Sequence, residues 1–188
     1  MDIFLLTVGL AWVVFWIYWF ISAWMTRSPL KRRQSQRSWI LFVLLFGFLV
    51  LYSSASSPGF LIQRVIPDSL VFGLSGMIIT LLGLGFAVWA RVHLGKYWSS
   101  MPAIREDHKL IRTGPYSLVR HPIYTGLLVG IAGTAIIIGM PLGLIAFFLL
   151  LVVYLWKIHM EEKYLSEEFG EEYARYKKEV PALIPFLV

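Results

Sequence analysis

Residues His108–Gly126 read HKLIRTGPYSLVRHPIYTG. This is the one long interval that is polar, turn-rich and dense in hydrogen-bonding side chains while lying between strongly apolar runs. Gly114-Pro115 marks a turn. Arg120, His121 and Tyr124 crowd around Pro122, and proline is favoured at the first position of a helix, so Pro122 opens the apolar run that follows. Arg120 and His121 are thereby expected at the mouth of a membrane helix. There, unpaired backbone N–H groups and the helix dipole favour anions. A plain cytoplasmic loop carrying basic membrane anchors fits the same residues equally well.

Outward from this interval the chain is almost entirely apolar. Of its 188 residues 58% are hydrophobic and 16% aromatic, with a mean hydropathy of +0.71. Such a composition describes an integral membrane protein rather than a soluble domain. The absence of cysteine excludes a disulfide framework, a thiolate metal site and a cysteine nucleophile. The four histidines, His93, His108, His121 and His159, lack a ligand spacing, so no metal site is expected.

Five spans are expected in an all-α fold. Ile3 to Met25 is long enough to cross a bilayer. It lacks a basic flank and is too long for the apolar core of a signal peptide, which makes it a first transmembrane helix. Arg27, Lys31, Arg32, Arg33 and Arg37 follow it. This cluster abuts a membrane helix and reads as a topology signal, not a nucleic-acid site. The second span covers about Trp39 to Ser54 and the third about Ser69 to Ala90, whose Gly73, Gly76, Gly83 and Gly85 would permit close helix approach. Ile123 to Ile138 and Leu142 to Trp156 flank Gly139-Met140-Pro141, a tight helical hairpin with Pro141 opening its second arm. That arm is expected to continue to Phe169 and stop at Gly170, with Glu171 to Lys178 forming a short interfacial helix. The whole reads as one domain: three spans in 1–90, and in 91–188 the half that carries the polar interval.

The orientation follows from charge. With five spans, Arg64 alone of the 17 Lys and Arg residues falls on one side. The positive-inside rule then places the N-terminus outside, and the His108–Gly126 loop and the C-terminal segment in the cytoplasm. A second polar constellation, Lys157, Glu161, Glu162 and Tyr164, faces that same compartment. Lys157 and Glu161 are four residues apart on one helix face. They are either a solvated ion pair worth a few tenths of a kcal/mol, or two opposite charges at the rim of a cavity that takes a zwitterion or anion.

Together, GPYSLVRHPIYTG and the EE…FGEEYARYKKEVPALIPF segment resemble the isoprenylcysteine carboxyl methyltransferases, and also the related phospholipid N-methyltransferases. These are small membrane enzymes that use S-adenosylmethionine (SAM). The resemblance covers roughly Leu94 to Phe186. It implies that His108, Lys109, Leu110 and Ile111 contact the cofactor, as do Tyr116, His121, Pro122, Ile123 and Tyr124. It also implies that Glu161 meets the cofactor. Lys157 stands where the eukaryotic enzymes carry a substrate-facing arginine, and keeps the charge without the bidentate fork. Met101 stands where the family has a glutamine.

The residue types suit SAM. Helix-mouth N–H groups and His121 suit its carboxylate. Glu161 suits its ammonium, and Tyr116 and Tyr124 can pack on adenine or hydrogen-bond. A carboxylate acceptor is already ionised at neutral pH and needs no general base, only in-line positioning and removal of water. Arg120 or Lys157 would orient it as the catalytic cation. The expectation is therefore a SAM-dependent methyltransferase acting on the carboxylate of a prenylated cysteine or a similar lipophilic acceptor taken from the bilayer. A phospholipid N-methyltransferase, an NADPH-dependent membrane reductase and a non-enzymatic scaffold are the alternatives.

Overall fold

The computed structural model describes residues 2–25, 59–95 and 110–185. Five α-helices order this part of the chain: α1 (Asp2–Met25), the single turn α2 (Gly59–Ile62), α3 (Leu70–Leu94), α4 (Pro122–Ile138) and α5 (Pro141–Glu179). A 3-10 turn at Gly114–Ser117 precedes α4. No strand occurs among the described residues. The expected second span, 39–54, lies outside them.

Helices α1, α3 and α5 are each long and apolar enough to cross a membrane, while α4 is apolar but shorter, at 17 residues. Their outward faces carry Val14, Phe20, Leu82, Phe148 and Val152, each more than half exposed. Bare apolar surface of this extent is stable only against lipid, and the protein is integral to the membrane.

Helices α3 and α4 form the tightest pairing. A Cβ on Gly83 would lie 2.4 Å from the Gly130 backbone nitrogen, and one on Gly126 would lie 2.5 Å from the Gly83 carbonyl oxygen. The two backbones touch because no side chain intervenes, and close packing replaces the hydrophobic drive that lipid removes. Thr80 sits inside this seam. Its hydroxyl donates to the Gly76 carbonyl at 2.8 Å and lies 3.2 Å from that of Gly130. Trp12 of α1 donates its indole N–H to Thr134 at 3.0 Å, so α1 is tied to the pair by a polar contact as well as by packing. Of the glycines expected to serve close approach, Gly76 and Gly83 do. Gly73 instead receives the Phe4 ring, and Gly85 faces open space.

The helix ends follow their sequence signals. Ser69 caps α3 through its hydroxyl. The helix runs a turn past the expected Ala90 because Arg91 is buried, reaching the Ser22 carbonyl of α1 at 3.1 Å and the Gly95 carbonyl at 3.2 Å. Pro122 and Pro141 are the first residues of α4 and α5, and Gly139 ends α4 in the left-handed conformation. Arg64 has a structural task. Its guanidinium donates to the Ile137 and Ile138 carbonyls, the negative end of the α4 dipole.

Straight, the 39 residues of α5 would extend about 58 Å, nearly twice the ~30 Å of a bilayer core. The helix breaks at Gly170, at φ 50° and ψ −121°. Beyond the break, Tyr173, Tyr176 and Val180 pack with Leu110, Leu165 and Phe169 in a small second core. The residues after α5 then run beside the mouth of α4. The Arg120 and His121 backbone N–H groups donate to the Pro181 and Ala182 carbonyls at 2.8 and 3.0 Å.

Candidate active site

The site forms where the mouth of α4 meets the lower half of α5. His121 is the residue that caps α4, and Arg120 precedes it. The His121 side chain is buried and that of Arg120 is largely so, and both turn toward Glu162 on α5. Arg120 donates through Nε at 2.9 Å and Nη2 at 2.7 Å to the same Glu162 oxygen, Oε1. His121 Nε2 lies 3.3 Å from that oxygen. Lys177 Nζ reaches Oε2 at 2.9 Å. Arg120 Nη1 completes the clamp by donating to the carbonyls of Lys177 and Val180. Arg120, expected as a cation for the acceptor, therefore has its guanidinium engaged by Glu162 and by the C-terminal segment.

The neighbouring carboxylate does something different. Consecutive residues of a helix project about 100° apart, so Glu161 faces away from the clamp. Its Oε2 accepts a 2.8 Å hydrogen bond from the Tyr124 hydroxyl and lies 4.0 Å from His121 Nδ1. Its Oε1 has no hydrogen-bond partner among the described residues, and the side chain is 33% exposed against 12% for Glu162. One turn earlier on α5, the Lys157 ammonium lies 5.2 Å from the centroid of the Tyr124 ring. A cation, a phenol and a half-open carboxylate thus share one rim.

Tyr124 is held on several sides. Its ring stacks on His121 at 5.7 Å and 9° and tilts against Tyr154 at 5.2 Å. Together with Lys157 these neighbours cover the ring, so Tyr124 offers a hydroxyl rather than a stacking face for adenine. His121, expected to meet an anion, turns its two ring nitrogens to the two glutamates. Tyr116 lies in the 3-10 turn with its ring against His93 at 6.4 Å, and its carbonyl accepts from the Tyr176 hydroxyl at 2.5 Å. Burial pushes the Tyr116 hydroxyl well above its usual pKa, and Glu161 and then Tyr176 add to the rise, so the group stays neutral.

Pro122 and Ile123 are buried in the first turn of α4. Ile111 packs against the main core and Leu110 against the second one. His108, Lys109 and Met101 lie outside the described residues. Two features were missed from sequence: the clamp role of Glu162, and the return of Lys177 to it. The tyrosines Tyr173 and Tyr176, three residues apart in EEYARYKK, were the available signal, since that spacing marks one buried helix face. The Tyr173 hydroxyl is buried beside the clamp with no hydrogen-bond partner among the described residues.

Residues 71–172 match the family described as phospholipid methyltransferase. The chain belongs to that family. The match takes in α3, the turn at Gly114, α4 and most of α5, and so contains Arg120 to Tyr124 together with Lys157, Glu161 and Glu162. Among proteins of known name, the chain is similar to protein-S-isoprenylcysteine O-methyltransferase B of Arabidopsis thaliana. The two are 34% identical over 119 residues, which is 60% of this chain and 58% of that one. The Schizosaccharomyces pombe protein-S-isoprenylcysteine O-methyltransferase is 34% identical over 69% of this chain and 55% of its own. The Saccharomyces cerevisiae protein of the same name is 43% identical over 43% of this chain and 34% of its own. The chain thus matches between about a third and a little over half of the length of these relatives. Its fold is similar to that of the eukaryotic intramembrane Ras methyltransferase, with a TM-score of 0.59 at 23% identity over 82% of this chain and 55% of that one.

Proposed function

We propose that this member of the family is a SAM-dependent membrane methyltransferase, and that it methylates the carboxylate of a prenylated cysteine or a similar lipophilic acceptor. The observation that carries the reading is the rim of Lys157, Tyr124 and Glu161, a cation and a carboxylate oxygen unpaired among the described residues, one helical turn apart midway along α5. The names of the relatives support it.

The residues present fit SAM. Glu161 Oε1 and the orphaned Tyr173 hydroxyl are polar atoms that a zwitterionic ligand would satisfy. Glu161 would hold the ammonium, with Tyr124 fixing that carboxylate through its hydroxyl. Leu110, Ile111 and Tyr116 would line the nucleoside end with His108 and Lys109. SAM would supply an electrophilic methyl group. Lys157, its ammonium over the Tyr124 ring at that rim, would hold the acceptor carboxylate; the Arg120 donors reach Glu162 and two carbonyls. Arg120 and His121 then position the rim. Burial of an acceptor chain contributes roughly 0.8 kcal/mol per CH₂, so an apolar tail supplies most of the binding.

The proposed topology has five spans in one domain, α4 and α5 forming a hairpin across the bilayer. The N-terminus is outside, and the C-terminus and the site in the cytoplasm. The alternative acceptor is a phospholipid amine, which the family description favours. The test offers labelled SAM with farnesylcysteine analogues and phosphatidylethanolamine to membranes carrying the protein. A methyl ester releases methanol in mild base. A base-stable product from phosphatidylethanolamine alone overturns the carboxylate reading. Binding of NADPH in place of SAM overturns the methyltransferase reading.

A further inference from the structure

Two adjacent carboxylates stand at this site, and they are not equivalent. Glu162 lies within hydrogen-bonding reach of three cationic or potentially cationic groups: Arg120, Lys177 and His121. Glu161, the residue before it and more exposed, accepts one hydrogen bond among the described residues, from the Tyr124 hydroxyl. Yet His121 already stands between the two, 3.3 Å from Glu162 and 4.0 Å from Glu161. Released from Glu162, the His121 ring would have the Glu161 carboxylate beside its other nitrogen.

We infer that Glu162 is the positioning residue of the site: by neutralising Arg120 and Lys177 it keeps the Glu161 carboxylate open for the ammonium of the cofactor. The inference rests on the proposed SAM reading. Glu162 itself touches no ligand. It acts through Arg120, whose Nη1 also gathers the Lys177 and Val180 carbonyls, so that the C-terminal segment and the mouth of α4 close around Glu162 and away from Glu161.

The test compares two ligands on the purified full-length protein in lipid nanodiscs. S-adenosylmethionine carries the ammonium. 5′-Methylthioadenosine keeps the adenine, ribose and thioether and has no ammonium. Glu162→Gln retains the size and one acceptor oxygen but removes the charge. It is expected to weaken SAM binding tenfold or more while leaving methylthioadenosine within threefold of wild type, the same pattern expected of Glu161→Gln. An equal loss for both ligands would mean that Glu162 only holds the fold, and unchanged SAM binding would mean that it does not govern Glu161; either overturns the inference. Should Glu162→Gln fail to fold, Glu162→Asp draws the carboxylate back by one methylene and is judged by the same two ratios. A wild-type protein that binds methylthioadenosine but not SAM, or neither, overturns the methyltransferase reading and the inference together. Failure of the inference alone shows only in the variants.

Discussion

Arg120 illustrates how a residue's surroundings redirect its chemistry. A sequence places it beside His121 at a helix mouth, and a free arginine there would suit an anion. Its side chain is instead 10% exposed and paired with a Glu162 that is 12% exposed. Removing one partner of such a pair strands the other charge away from water, at a cost of about 3–5 kcal/mol. Arg120→Ala is therefore expected to lower the thermal stability of the detergent-solubilised protein markedly. Lysine should rescue little of it, since an ammonium cannot reproduce the fork onto Glu162 and the carbonyls. A melt unchanged by Arg120→Ala would show the pair to be solvated. Tyr124 and Glu161 should behave differently. Tyr124→Phe removes one hydrogen bond to a carboxylate, and Glu161→Gln removes the charge that the ammonium needs. Each is expected to weaken SAM binding by about 1.5–3 kcal/mol, the range for a charged hydrogen bond, with melting little changed. Calorimetric titration reads it, and wild-type affinity in both variants would remove this rim from the cofactor site.

Among the elements, the α3–α4 seam decides how firmly the mouth of α4 is held. Gly83 faces backbone atoms of α4 at 2.4 Å from a would-be Cβ, whereas Gly85, two residues on, faces nothing within 4 Å. Gly83→Ala must push the helices apart, and overpacking of this kind costs about 1–3 kcal/mol. Gly85→Ala should be neutral or stabilise by about 0.5–1 kcal/mol, because alanine is the better helix former. Melting of the two variants side by side checks this, and equal effects would argue against the close approach. Helix α5 shows the opposite device. Its length exceeds the bilayer, and the break at Gly170 lets the excess fold back onto Leu165, Phe169 and the 3-10 turn.

For the whole molecule, the arrangement of charge about the membrane is the testable property. Arg64, the one basic residue expected outside, is tied to the C-terminal carbonyls of α4. Arg112, Lys177 and Arg120 gather at the opposite end, where α4 begins. The proposed external N-terminus and cytoplasmic site follow from the positive-inside rule. A reporter fused after Val188 should be cytoplasmic and one inserted near Ser57 external. A cytoplasmic Ser57 reporter would rule out the five-span arrangement.

Much of this molecule was legible in its residues. Apolar runs of near-bilayer length marked α1, α3, α4 and the first half of α5, because lipid leaves a chain no other way to satisfy its backbone. Pro122, Pro141, Ser69, Gly139 and Gly170 marked helix ends, because caps and breaks depend on local backbone geometry alone. RHPIY and the paired glutamates marked the candidate site, because those residue types are costly beside hydrocarbon. What the residues left open was the division of labour between them. Glu161 and Glu162 are identical in type and adjacent in sequence, and only the rotation of α5 against the mouth of α4 turns one to Arg120 and the other to the rim. Likewise Lys177 joins Glu162 only because the chain reverses at Gly170. Helix rotation and chain reversal are set by contacts far apart in sequence, so only the tertiary structure determined which carboxylate meets Arg120 and Lys177 and which meets the Tyr124 hydroxyl.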